Sequence, residues 1–137
     1  MIVEIARHVL GIEDADHAES NPDAKRLVVT RLACSLVGLE QRVFVVPGSR
    51  AAALYGGAPA VEDYRCNYGV NPEYHPALEA AGLHLSGFGE DGELRIVELP
   101  GHPFFLATLF LPQIRSTPER PHPFLRGFAA AVQAAGR

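Results

Sequence analysis

Tryptophan is absent from this 137-residue chain, methionine occurs once and cysteine twice, at Cys34 and Cys66. The two cysteines lie far apart with no Cys-x-x-Cys pair, which excludes a thioredoxin-like redox motif and a zinc knuckle. One disulfide between them stays open as an alternative, but a chain without a secretory leader is expected to keep both thiols reduced. No apolar stretch reaches the ~20 residues that cross a bilayer, and no basic-then-apolar leader opens the chain. A cytoplasmic protein with no membrane partner is therefore expected. Basic residues are also few: twelve Lys and Arg face sixteen Asp and Glu, for a net charge of −4. A mildly acidic chain with no basic run does not attract phosphate backbones, which argues against a nucleic-acid partner. No two of the six histidines have the i, i+4 spacing of a helical metal site, so each reads as a surface or capping residue and no metal is expected. There is no Gly-x-Ser-x-Gly or Gly-x-Cys-x-Gly elbow to strain a nucleophile between strand and helix. The acidic stretch with Asp14, Asp16, Glu19 and Asp23 lacks the glycine and spacing of an EF-hand loop, so it reads as solvated loop.

What is present suits one mixed α/β domain: 47% apolar and 20% charged residues. Ile2, Ile5, Val9 and Ile12 recur at helical spacing, Gly11 lies where a helix would stop, and no capping residue stands ahead of them. Residues 13–26 read as a loop. Strands are expected at Leu27–Leu32, Arg42–Val46 and Tyr64–Val70, and helices at Arg50–Tyr55 and Glu73–Ala81. Leu83–Gly87 and Leu94–Leu99 form a hairpin around Gly89-Glu90-Asp91-Gly92. Phe104–Phe110 is apolar on both parities, the pattern of a strand covered on both faces. A Pro-rich connector leads to a last helix with Leu125, Phe128, Ala129 and Val132 along one side, read as its buried stripe.

Gly87-Phe88-Gly89-Glu90-Asp91-Gly92 matches Gly-x-Gly-x-x-Gly literally, yet a strand rather than a helix follows, and two carboxylates stand where a phosphate would sit. The hairpin reading holds, and no cofactor is expected. Cys66, between Arg65 and Asn67-Tyr68, has the more polar setting of the two cysteines and is the candidate reactive thiol. Cys34, beside apolar positions, reads as a small core residue.

The tail Val97-Glu98-Leu99-Pro100-Gly101-His102-Pro103-Phe104-Phe105, continued by Leu106–Gln113 and by Arg120-Pro121-His122-Pro123, resembles the end of the class I glutamine amidotransferase domain of CTP synthases. Ala6-Arg7-His8-Val9-Leu10-Gly11 with Glu13-Asp14-Ala15 resembles the helix and loop after that domain's nucleophile, and Tyr68-Gly69-Val70-Asn71 falls at the family's spacing. Ala33-Cys34-Ser35-Leu36, Cys66-Asn67-Tyr68-Gly69 and Ala107-Thr108-Leu109-Phe110 are closest to an offshoot, the CTP synthase C-terminal region-related (seleno)proteins.

The resemblance implies a flavodoxin-like α/β fold over residues 1–137, with no synthetase domain. It places the nucleophile elbow and the first strands of the parallel sheet upstream of Met1, so the chain reads as a truncated domain with an exposed strand edge, inviting a homo-oligomer. In an active relative a Cys attacks the glutamine carboxamide, a His moves its proton and a Glu two residues on orients the His. The resemblance puts Leu111 at the His position, Gln113 at the Glu position and Asn67 where an Arg grips the substrate α-carboxylate; only Glu19 matches a substrate-holding residue. The implied protein is related to pyrimidine nucleotide biosynthesis but is a pseudoenzyme without glutaminase activity, its partner an amino acid or glutamine-like small molecule held near Glu19 and Asn67. The alternatives are a non-catalytic binding or regulatory module and a thiol- or selenol-dependent enzyme using Cys66.

Overall fold

A computed structural model describes residues 1–136. In chain order its elements are α1 (Ile2–His8), β1 (Ala15–His17), β2 (Arg26–Arg31), β3 (Glu40–Val45), α2 (Arg50–Tyr55), β4 (Ala60–Asp63) and β5 (Tyr68–Val70), then α3 (His75–Ala80), β6 (His84–Phe88), β7 (Leu94–Glu98), β8 (Leu106–Thr108) and α4 (Pro123–Ala135). The strands form two sheets: β1-β2-β5, and β4-β3-β6-β7-β8. Only β1 and β2 run parallel among the described residues; the remaining ladders are antiparallel, β6 and β7 as a hairpin.

Strand β7 organises the core. All five of its residues are buried, with Leu94 and Val97 packed in one cluster beside Ile2, Ala6, Val28 and Leu78. Ile96 belongs to the second cluster with Leu36, Val43, Tyr64, Phe110 and Phe124. Its partner β6 approaches closely because Gly87 has no side chain: a Cβ there would lie 2.7 Å from Ile96 Cδ1. At the end of β7, the buried Glu98 carboxylate accepts the Arg50 and Ala51 N–H groups at 3.1 and 2.8 Å. A carboxylate across the chain thus meets the first amides of α2, where the helix dipole favours negative charge; Ser49 completes the cap at Ala52 N–H.

Several expectations are corrected by this packing. The acidic loop contains the short strand β1, because Ala15 is fully buried and pairs with Arg26. The strand expected over Tyr64–Val70 shrinks to β5, and an unforeseen strand, β4, precedes it; the segment between follows the chain around residues 36–39 through Tyr64 and Cys66 backbone bonds. Glu73–Ala81 divides into a 3₁₀ turn at Pro72–Tyr74 and α3, since Pro76 brings no N–H to the ladder. Phe104–Phe110 holds a strand only at β8, an edge strand whose residues are half-buried. In α1 Ile2 and Ala6 face inward while Val9 is 62% exposed; as expected, no side chain caps its start. The stripe on α4 is rotated: Leu125, Phe128 and Val132 are exposed, and Phe124 is buried. Gly127 faces Leu54 and Phe104 so closely that a Cβ would lie 2.6 and 3.1 Å from them, so the helix docks by its glycine rather than by its bulkier stripe.

Candidate functional site

The start of α1, the end of β1, β5 and the β7–β8 pair enclose an apolar cleft of about 290 Å³. His17, Cys66, Tyr68 and Thr108 bring its polar groups, between walls that include Ile2, Val29, Val70 and Leu109. The His17 ring lies against Tyr68, with centroids 5.2 Å apart. Its Nδ1 accepts the Glu19 N–H at 3.0 Å, so a neutral His17 carries its proton on Nε2 and offers the cleft a donor. The preceding Asp16 carboxylate accepts the His17 N–H at 2.8 Å and Asn21 Nδ2 at 3.1 Å. Those two bonds, the backbone one first, hold its pKa below the ordinary value and keep it anionic. The Cys66 thiol donates to Tyr68 O at 3.1 Å and receives Tyr68 N–H at 3.4 Å. Thr108 Oγ1 donates to Phe110 O at 2.8 Å, leaving its oxygen free to accept.

Arg95 of β7 also lines the cleft, its side chain wholly shielded from solvent. Its guanidinium bonds Asp91 Oδ2 at 2.8 Å and lies 5.4 Å from the centre of the Tyr64 ring. Burial pushes the Tyr64 hydroxyl up to about 12 against the opposing pull of Arg95. Burial, reinforced by the charge of Asp91, also raises Glu93 above the ordinary carboxylate range. A second buried group lies away from the cleft: Glu62 Oε1 accepts the Tyr55 hydroxyl at 2.6 Å and His122 Nε2 at 2.8 Å. His122 Nδ1 in turn accepts Phe124 N–H, capping α4. The expectation of a capping histidine holds at His122; His17 and His102 accept the N–H two residues on within turns.

The residues singled out in the sequence sit around the cleft without lining it, apart from Cys66. Glu19 is exposed beside His17, and half-buried Asn67 is outside the lining, its carbonyl accepting Leu32 N–H at 2.8 Å. Leu111 precedes the 3₁₀ turn Pro112–Arg115, its N–H donating to Asp63 O at 3.2 Å, and Gln113 is exposed on that turn. The lining goes instead to His17, Cys66, Tyr68 and Leu109; alternation along an extended chain explains the turn from Asn67 to its immediate neighbours Cys66 and Tyr68. Cys34 is exposed rather than part of the core, because Ala33, Cys34 and Ser35 bulge out of the chain pairing there. His17, Tyr68 and Thr108 escaped the sequence reading; the only signal for His17 was its place beside the apolar Ala15 in an acidic stretch.

No family model matches the chain. The CTP synthase of Pyrobaculum calidifontis is 40% identical over 141 residues, an alignment covering 96% of this chain. That of Saccharolobus solfataricus is 41% identical over 140 residues, again covering 96% of the chain. The chain spans only 27% and 26% of the length of these curated relatives. Among solved structures, the glutaminase domain of Trypanosoma brucei CTPS with bound acivicin superposes with a TM-score of 0.87 at 31% identity, covering 96% of this chain and 56% of that one. Nearly the whole of this chain is thus homologous to one part of CTP synthase, and it has the flavodoxin-like class I glutamine amidotransferase fold of that enzyme's glutaminase domain.

Proposed function

We propose that the cleft holds a small amino-acid-like molecule, of glutamine-like size and polarity, without hydrolysing it, in a protein tied to pyrimidine nucleotide synthesis. The observation that carries this reading is the lack of a proton acceptor. Leu111 is aliphatic and lies outside the cleft, and His17, which lines it, has its acceptor nitrogen occupied by the Glu19 N–H. A general base needs a free lone pair within reach of the proton it removes; His17 Nε2–H instead suits a ligand carboxylate or amide oxygen. A volume of about 290 Å³ lies at the small end for ligand sites and favours a compact molecule. The CTP synthase relatives support the link to pyrimidine nucleotides.

Two measurements test this on the same protein. Thermal shift against glutamine, glutamate and their analogues is expected to raise Tm, because a ligand bound only by the folded state stabilises it. Ammonia release from glutamine is expected to stay at the buffer background. Release that falls on His17→Asn would overturn the reading, by showing that His17 serves as a base.

A second reading is favoured by the placement of Cys66 in the cleft wall: its thiol performs covalent chemistry on the bound molecule. Protection of Cys66 from iodoacetamide by a bound amino acid would join the two readings; equal alkylation with and without saturating ligand would separate the thiol from the site.

A further inference from the structure

We propose that Cys34 and Cys66 are a reversible redox pair, closed by a hydroperoxide into a disulfide across the paired chains at residues 32–36 and 64–67. The backbone bonds carry the argument. Leu32 N–H donates to Asn67 O at 2.8 Å, and the next bond in the same direction is Leu36 N–H to Cys66 O at 3.2 Å. Pairing therefore advances four residues on one chain while it advances one on the other. Ala33, Cys34 and Ser35 are looped out between those two bonds, with Cys34 at the middle of the bulge. Gly38 N–H to Tyr64 O and Tyr64 N–H to Leu39 O then continue the ladder beyond it. Cys34 lies only two residues from Leu36, whose N–H bonds Cys66 O at 3.2 Å, so folding back of the bulge is the movement that brings the two Cα atoms within the ~4.4–6.8 Å that a disulfide spans. Closure requires that movement. All three residues of the bulge are exposed; Ser35 Oγ accepts Val37 N–H at 3.3 Å, and Ala33 N–H is directed to the Glu93 carboxylate.

The two thiols differ in a way that sets the order of events. Cys34 is exposed and meets the oxidant first, whereas Cys66 is half-buried and held by Tyr68. The Cys34 thiolate attacks the hydroperoxide O–O bond, giving a sulfenic acid and releasing the alcohol or water. The Cys66 thiolate then attacks the Cys34 sulfur, the S–S bond forms and the sulfenic oxygen leaves as water. Two electrons pass from the thiol pair to the peroxide, and a dithiol reductant reverses the step by exchange. Closure draws Cys66 Sγ away from Tyr68, on the wall of the cleft where Tyr68 also carries His17.

The test uses the full chain treated with graded hydrogen peroxide, denatured, alkylated and weighed intact. The expected result is a monomeric product that has lost both alkylatable thiols and two hydrogens in mass, contains a Cys34–Cys66 linked peptide and is restored by dithiothreitol. Cys34→Ser, a change at an exposed site, is expected to leave Cys66 alkylatable at peroxide levels that close the wild type. Cys66→Ser is expected to leave a Cys34 sulfenic acid that dimedone captures. The proposal is overturned if wild-type Cys34 accumulates the dimedone adduct while Cys66 stays alkylatable. It is overturned equally if the only disulfide formed joins two chains.

Discussion

Replacing Glu62 by alanine removes the single acceptor that serves two buried donors. The residue is 2% exposed, and its Oε1 receives both the Tyr55 hydroxyl and His122 Nε2–H. The direction of the second bond is fixed, because His122 Nδ1 accepts the Phe124 N–H and cannot also hold the proton of a neutral ring. Each donor left without a partner in the interior costs about 1–3 kcal/mol. Two such donors together cost about 4 kcal/mol, a large part of the ~5–15 kcal/mol total of an ordinary domain. Glu62→Gln keeps an oxygen for both donors but brings an amide to the place of Oε2, which has no partner; it is expected to lose about 1–2 kcal/mol. In urea, with a slope of about 1–3 kcal/mol per molar, the alanine midpoint falls by about 2 M and the glutamine midpoint by about half as much. His122→Asn, which keeps a capping side chain for α4, gives the double-mutant cycle with Glu62 that isolates the pair. Equal losses for alanine and glutamine, or an alanine loss below about 1 kcal/mol, would refute the account of Glu62 as the acceptor binding α2 and α4 to β4.

Glu93 is raised by burial and by Asp91, so the fold favours its protonated form. Its contribution is present below the ordinary value of 4.5 and is lost as pH rises through the raised value. Glu93→Gln is therefore expected to raise Tm at pH 7 and to leave it unchanged near pH 4, followed by calorimetry across that range. The exposed face of α4, with Leu125, Phe128 and Val132 at 39%, 53% and 54% exposure, is expected to promote self-association. Sedimentation velocity should show a concentration-dependent dimer that Phe128→Glu abolishes; a monomer at every concentration would count against it.

The fold was most legible where local chemistry acts alone. Ser49 and the glycine pair after Tyr55 bound α2 at both ends, and Gly89 and Gly92 close the β6–β7 hairpin by backbone bonds within it. Legibility ended where distant chain decides. The Leu125–Val132 stripe reads as a core face by hydropathy. Gly127 nonetheless fits between Leu54 and Phe104, and a missing side chain leaves no trace in a hydrophobic pattern. Cys34 reads as core by its neighbours, yet the step in pairing from Leu32·Asn67 to Leu36·Cys66 expels it. At the cleft, the resemblance singled out residues adjacent to the lining rather than the lining itself. Glu19 and Asn67 lie one or two residues from His17, Cys66 and Tyr68, which occupy the wall. At Asn67 the offset is a single residue, which reverses the face an extended segment presents.

That offset bears on what a histidine introduced at 111 would do. Leu111 and Gln113 flank Pro112 on a turn tied to β4 twice, by Leu111 N–H to Asp63 O and by Arg115 Nε to Asp63 Oδ2 at 2.8 Å, with Glu40 as a further partner of Arg115. The turn is thus held by its backbone and by Arg115, not by the side chains at 111 and 113. The double change Leu111→His with Gln113→Glu is accordingly expected to fold with a urea midpoint close to that of the wild type. Its new imidazole would stand on a turn outside the cleft, with its carboxylate at an exposed position where water weakens the orienting bond. Ammonia release from glutamine is therefore expected to remain at background in the double variant. A glutaminase rate appearing on that change alone, and lost again on Cys66→Ser, would mean that the turn and the thiol share one site, and the separation drawn between them here would fall.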